Sequence, residues 1–171
     1  MPRLHALELV ADRAGEAAVR ADWQALHDAG LRSMLDHAGA TNTPHVTVIA
    51  VPSVNEADEA RAVALLGGLL PIDVVTSGVA VLGGSAVTLV RTLDVTDEVT
   101  RAVLDLRAAT GGHRHPGWLP HLTLARRLPR EDLPRALDAI GHTSLTVRLA
   151  TLRRWDPDLA EVRSLATADR P

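Results

Sequence analysis

Two short runs of this chain each set a histidine and a threonine two residues apart inside an otherwise apolar segment. They are "TPHVTVIAV" at 43–51 and "LPHLTLARR" at 119–127. On an extended strand, residues i and i+2 point to the same face, about 6.6 Å apart. His45 and Thr47 therefore present one imidazole and one hydroxyl together, as do His121 and Thr123, while Val46 and Leu122 face a core. Imidazole titrates near neutral pH and serves as either general acid or general base. Two such strands brought side by side supply both roles for in-line displacement at phosphorus. One ring takes the proton of the attacking oxygen and the other protonates the departing oxygen. The hydroxyls can hold the non-bridging oxygens as charge develops on them. No metal or cofactor is expected for that chemistry.

A single His-x-Thr triplet would be weak evidence, because a histidine at the entry of a strand is commonly structural. The chain also holds His142-Thr143-Ser144 at a helix-to-strand junction, without the apolar context. The weight comes from duplication. Proline, histidine and threonine are identical in the two runs, with aliphatic residues at matching places. A structural role would have to recur independently at both sites.

The flanking elements repeat as well. A strand is expected at 4–10, a helix from 14 to 29 ended by Gly30, and the first His-x-Thr strand after the loop "HAGATNTP". A second helix follows with Asn55 as its N-cap and acids in its first turn. "IDVVTSGVAVL" is extended. The second half runs strand 86–95, helix with Thr96 as N-cap, loop "GGHRHPGWLP", strand from His121, helix "REDLPRALDAIG" and strand "SLTVRLATLRRW". A last strand, "LAEVRSLA", follows a turn at "DPD". Expected, then, is one α+β domain over 1–171. It is bilobal, with pseudo-symmetric β-α-β-α-β halves at 1–85 and 86–171 and mainly antiparallel sheets around a central cleft.

Composition narrows the ligand. The chain has 171 residues and a formal net charge of −3, with no cysteine, tyrosine or phenylalanine. Disulfides and thiolate metal sites are excluded, and a broad basic surface that coats nucleic acid is not expected. Residues 1–85 carry 5 Arg against 10 acids, whereas 86–171 carry 13 Arg against 11 acids. An anionic ligand would draw its positive partners from the second half. Apolar stretches such as 62–70 are too short to span a bilayer, and the first sixteen residues lack the apolar core of a signal peptide. Cytoplasmic residence is expected. No coiled-coil or interface pattern is visible, so a monomer is expected.

"PHVTVIA" and "PHLTLAR", half a domain apart, resemble the paired H-x-T signatures of the 2H phosphoesterase superfamily, in particular its bacterial 2′-5′ RNA ligase and cyclic phosphodiesterase branch. The resemblance covers nearly the whole chain in element order but specific residues only around the two motifs. It implies a bilobal α+β fold and metal-independent hydrolysis of 2′,3′-cyclic phosphates or other 2′-linked nucleotide or RNA-end esters. His45 and His121 would be the acid/base pair, with Thr47 and Thr123 on the phosphate. Ligation in the 2′-5′ sense, and a catalytically silent RNA-end or nucleotide-binding module, stay open.

Relatives near this branch often carry an arginine five residues after the second histidine, here Arg126. Strict alternation points it away from the His121 face, so it reaches a phosphate only if the strand bends or ends there. The cleft aromatics of relatives are missing, which bears on recognition of a base. Trp118 is either a stacking platform or a plug beneath the loop. Arg114 or His115, at the cleft rim, and Arg154 and Trp155, near the final turn, are further substrate contacts to test. The histidines of "HRH" have no nearby carboxylate in sequence and match a zinc site poorly. His5 reads as core, and Trp23 with His27 as a packed pair on a helix.

Overall fold

The structure is a computed structural model that describes residues 3–37, 39, 41–115 and 117–168. Expectations for Ala38, Ala40, Pro116 and the chain ends fall outside those residues. In chain order the elements are β1 (His5–Ala11), α1 (Arg13–Asp28), β2 (His45–Val51), α2 (Glu56–Leu66), β3 (Ile72–Gly83) and β4 (Ala86–Asp94). They continue with α3 (Asp97–Thr110), β5 (His121–Pro129), α4 (Leu133–Ile140), β6 (Thr146–Asp156) and β7 (Glu161–Thr167).

Local chemistry sets the helix bounds. Asp12, Asn55 and Thr96 accept from backbone N–H groups in the first turns of α1, α2 and α3, which satisfies donors that have no partner within the helix. At the end of α1, Gly30 takes φ +70°, and the Gly30 and Leu31 N–H groups close onto His27 O and Leu26 O. A side chain at that φ would be strained. The last helix is shorter than its sequence suggests. Residues Arg130–Asp132 form a 3-10 turn, and the α-helix begins at Leu133 beside Pro134, whose ring suits a first turn but not an interior.

All strand pairs are antiparallel, in the order β2-β1-β6-β3-β4-β5, with β7 also on β6. Exchanging β1 with β4, β2 with β5 and β3 with β6 turns this order into its own reverse. The strands form one sheet rather than one for each half, because β1 with β6, β3 with β4 and β3 with β6 all pair across the halves. The mixed α+β architecture is thus the expected one. The sheet curls far enough for its two outermost strands, β2 and β5, to touch.

Strand residues Leu7, Leu9, Val46 and Leu122 join Val19, Trp23 and Leu26 of α1 and Val99, Val103 and Leu106 of α3 in one apolar cluster. The helix positions recur at spacings of three and four, so each helix commits one stripe to that core. Helices α1 and α4 pack together, as do α2 and α3.

One polar clamp crosses this core. Arg91 on β4 donates to both carboxylate oxygens of Asp22 on α1, at 2.6 and 3.1 Å, and to the Ile140 and Thr143 carbonyls. Both side chains are buried. Removing one member strands a buried charge, which costs about 3–5 kcal/mol. Asp22→Ala is therefore expected to lower unfolding stability by that amount in urea titration, several times the effect of removing the exposed Arg148–Asp73 pair.

Candidate active site

His45, Thr47 and His121 line cavities where β2 meets β5. His45, Thr47, His121 and Thr123 are partly buried, and Val46 and Leu122, between them, are almost fully buried. The two imidazoles are held alike. Nδ1 of His45 lies 2.7 Å from Thr43 O, and Nδ1 of His121 lies 2.7 Å from Leu119 O. A carbonyl only accepts, so each Nδ1 carries hydrogen and each Nε2 is left for other partners.

Both strands break their alternation at the same place. In β2, Val48 and Ile49 are buried in succession, and in β5 Leu124 and Ala125 are. Pairing registers slip there, between Leu7 and Glu8 opposite β2 and between Leu89 and Val90 opposite β5. An extra residue in one strand of a pair is a β-bulge, and it flips the parity of everything beyond it. Ala50 and Arg126, five residues after their respective histidines, thereby turn to the cleft. Arg126 is exposed and lines the same cavity as His45. Strict alternation alone points it the other way; the bulge is the bend that brings it round.

Two adjoining cavities share Leu4, Thr47 and Ala50. One, of about 740 Å³, is bordered by His121, Trp118, His113, Arg114 and His115, with Leu82 and Thr88 from the β3–β4 hairpin. The other, of about 530 Å³, is bordered by His45, Glu8, Arg126, Arg153 and Trp155. Thr123 shares the His121 face of β5 but borders neither cavity.

Indole N–H groups fix the backbone beneath both hydroxyls. Trp118 Nε1 donates to Thr47 O at 2.9 Å, and Trp23 Nε1 donates to Thr123 O at 3.0 Å. Trp118 packs against the core and also borders a cavity. Trp23 is fully buried with Arg20 over its ring, while His27 is largely exposed near Asp36.

The remaining candidates separate. Trp155 borders the cleft. Arg154 is directed elsewhere and is corrected as a substrate contact: it donates to Glu59 at 2.7 Å and Asp156 at 3.0 Å, and it borders neither cavity. Its neighbour Arg153 occupies the cleft side instead. His5 is buried as expected, but against Asp156 and Asp158. Among the described residues this trio is the one group with metal-ligand geometry. The Arg154 guanidinium already sits on its Asp156 oxygen, so the donor set fits a cation poorly. His113, in the "HRH" loop, is held by Arg107 O. Burial, then the Arg107 charge, pushes its imidazole below the ordinary value.

Glu8, Arg107 and Arg153 are site residues that motif reading misses. A signal existed for Glu8: an acid inside a strand whose other residues are nearly all apolar must be paired if buried. It is the direct cross-strand partner of Arg153. Arg107, on α3, donates to Val48 O, His115 O and Gly117 O, and so ties the loop before β5 to β2.

For His121, burial pushes the imidazole below its ordinary value, and the fields of His45 and Arg126 act in the same direction. The hydrogen bond to Leu119 O opposes them.

The family profile described as the 2′-5′ RNA ligase superfamily matches residues 15–164. No curated protein sequence matches the chain. Among solved structures it is similar to a phosphoesterase, with 16% identity, TM-score 0.51 and coverage of 99% of this chain and 98% of that one. It is also similar to Usb1 of Kluyveromyces marxianus, at 12% identity and TM-score 0.54, covering 96% and 98%. E. coli LigT in apo form gives 18% identity and TM-score 0.51, covering 95% and 93%; LigT is also solved complexed with 3′-AMP. The chain belongs to the 2′-5′ RNA ligase superfamily of 2H phosphoesterases, a family of phosphodiester-processing proteins. No helix among the described residues is long and apolar enough to cross a membrane.

The Arg107 clamp is testable apart from any reaction. Arg107→Met removes three bonds to the loop and to β2 while keeping the aliphatic stem. Limited proteolysis is expected to cut between 111 and 119 at least several-fold faster than in the wild type. Unchanged cutting would show that the loop holds itself.

Proposed function

We propose that the protein is a metal-independent phosphodiesterase that opens nucleoside or RNA-end 2′,3′-cyclic phosphates or cleaves other 2′-linked esters. One observation carries the reading: two imidazoles, each anchored through Nδ1 to a carbonyl two residues upstream, border adjoining cavities that share Thr47. One ring takes the proton of the attacking water and the other protonates the departing oxygen. Thr47, Thr123 and Arg126 hold the non-bridging oxygens. Positioned donors of this kind act most strongly on the charge of the transition state. A nucleotide as substrate is supported by LigT, a relative solved complexed with 3′-AMP. Trp118, His115, Arg114 and Trp155 border the space on either side of the phosphate position, where a base or ribose would lie.

The test is hydrolysis of the four nucleoside 2′,3′-cyclic phosphates in excess EDTA. His45→Ala and His121→Ala are each expected to lower kcat by about 10²–10⁴-fold, the usual span for a general acid or base. Loss of only a few-fold in either variant contradicts the mechanism. Binding without turnover by the wild-type protein would favour the silent nucleotide-binding module.

The pH dependence follows from His121. If it is the base of the free enzyme, kcat/KM falls as pH drops through its titration. Because burial lowers that titration, the acid limb is expected below about pH 6.5, the ordinary imidazole value. An acid limb above that value in wild type would remove His121 from the role.

A further inference from the structure

The two halves of the site are not equivalent, and the difference lies on β1. At His45, the Nε2 atom left free by the Thr43 bond lies 3.4 Å from Glu8 Oε1. Glu8 is buried, and its other carboxylate oxygen accepts from Arg153 Nε at 2.8 Å. Because Glu8 and Arg153 sit opposite each other on paired strands, the carboxylate is held in place from behind. Among the described residues no acidic side chain pairs with His121. That ring lies instead in the fields of His45 and Arg126.

Packing does not account for this arrangement. A buried ion pair is rarely more stabilising than apolar residues of the same size. An Arg–carboxylate pair serving only the core would also have no reason to border the cleft and turn an oxygen toward an imidazole nitrogen.

We propose that Glu8, held by Arg153, is a positioning residue that orients the His45 ring from beside its Nε2, and so makes His45 the acid and His121 the base. The assignment rests on the phosphodiesterase reading above. In the resulting step, the water oxygen bonds to phosphorus as His121 Nε2 takes its proton. The bond from phosphorus to the leaving oxygen breaks, and the proton on His45 Nε2 passes to that oxygen. The products are a phosphomonoester and a free hydroxyl. His121 ends protonated and His45 neutral. Solvent then removes one proton from His121 and returns one to His45 Nε2, beside the Glu8 carboxylate. Burial lowers the titration of His121, which suits a ring that must begin each turnover neutral.

The experiment varies the leaving atom. A 2′,3′-cyclic phosphate releases an alkoxide that needs a proton. The same compound with sulfur at the leaving bridge releases a thiolate that does not. Glu8→Gln is expected to lose at least about tenfold on the oxygen substrate and less than about threefold on the sulfur substrate, with His45→Ala showing the same selectivity more strongly. His121→Ala is expected to lose on both.

Glu8→Gln also leaves the Arg153 charge buried, so Glu8→Gln with Arg153→Met is measured alongside it. The same selective loss in the double variant supports the proposal. Recovery of the oxygen substrate there, or equal losses on the two substrates in Glu8→Gln, overturns it. Failure of wild-type protein to open either cyclic compound overturns the phosphodiesterase reading itself, and is distinguished by occurring before any variant is compared.

Discussion

Strands at the ends of a sheet carry backbone groups that no neighbouring strand can pair, and in this fold the whole site depends on how those groups are satisfied. β2 and β5 are the two outermost strands. Thr47 O accepts from Trp118, Val48 O from Arg107 and Thr123 O from Trp23. Each donor comes from an element that packs across the mouth or flank of the curled sheet. Bonds that cover exposed edges therefore also fix the backbone at both threonines, within two residues of both histidines.

Geometry within each strand completes the arrangement. The bulges after Thr47 and Thr123 let a strand show His, Thr and a third residue to the cleft while burying two consecutive aliphatics. In the first copy that third residue is Ala50, which leaves space shared by both cavities. In the second it is Arg126, which supplies charge. One backbone device thus yields an open floor on one side and a cationic wall on the other. The excess of arginine in the second half of the chain has part of its explanation there. Glu8 adds the second asymmetry, so a nearly symmetric scaffold presents two histidines in different surroundings.

Much of this was legible in the sequence, for identifiable reasons. The element order followed from caps at Asn55 and Thr96, from Gly30 and from apolar periodicity, all local signals. The pairing of the two motifs followed from their repetition. Arg126 was uncertain because a bulge changes parity without changing composition, so the residues "LTLAR" read equally well straight or bulged. Arg107 and Trp23 were hidden because their partners are backbone carbonyls far along the chain, and carbonyls leave no residue-type signature. Arg154 was misplaced by one position: near a strand end adjacent residues face opposite ways, and only pairing with β1 shows that Arg153 takes the cleft side.

The central claim is that the two Nε2 atoms act on one phosphorus. The most direct measurement is ¹⁵N NMR of the His45 and His121 rings, each assigned by loss of its signal in the alanine variant, during titration with a nucleoside–vanadate complex as a mimic of the five-coordinate state. The account predicts that both Nε2 resonances shift together at one occupancy, while both Nδ1 resonances stay close to their starting positions. Movement of only one ring, or of neither at saturating complex, would contradict it.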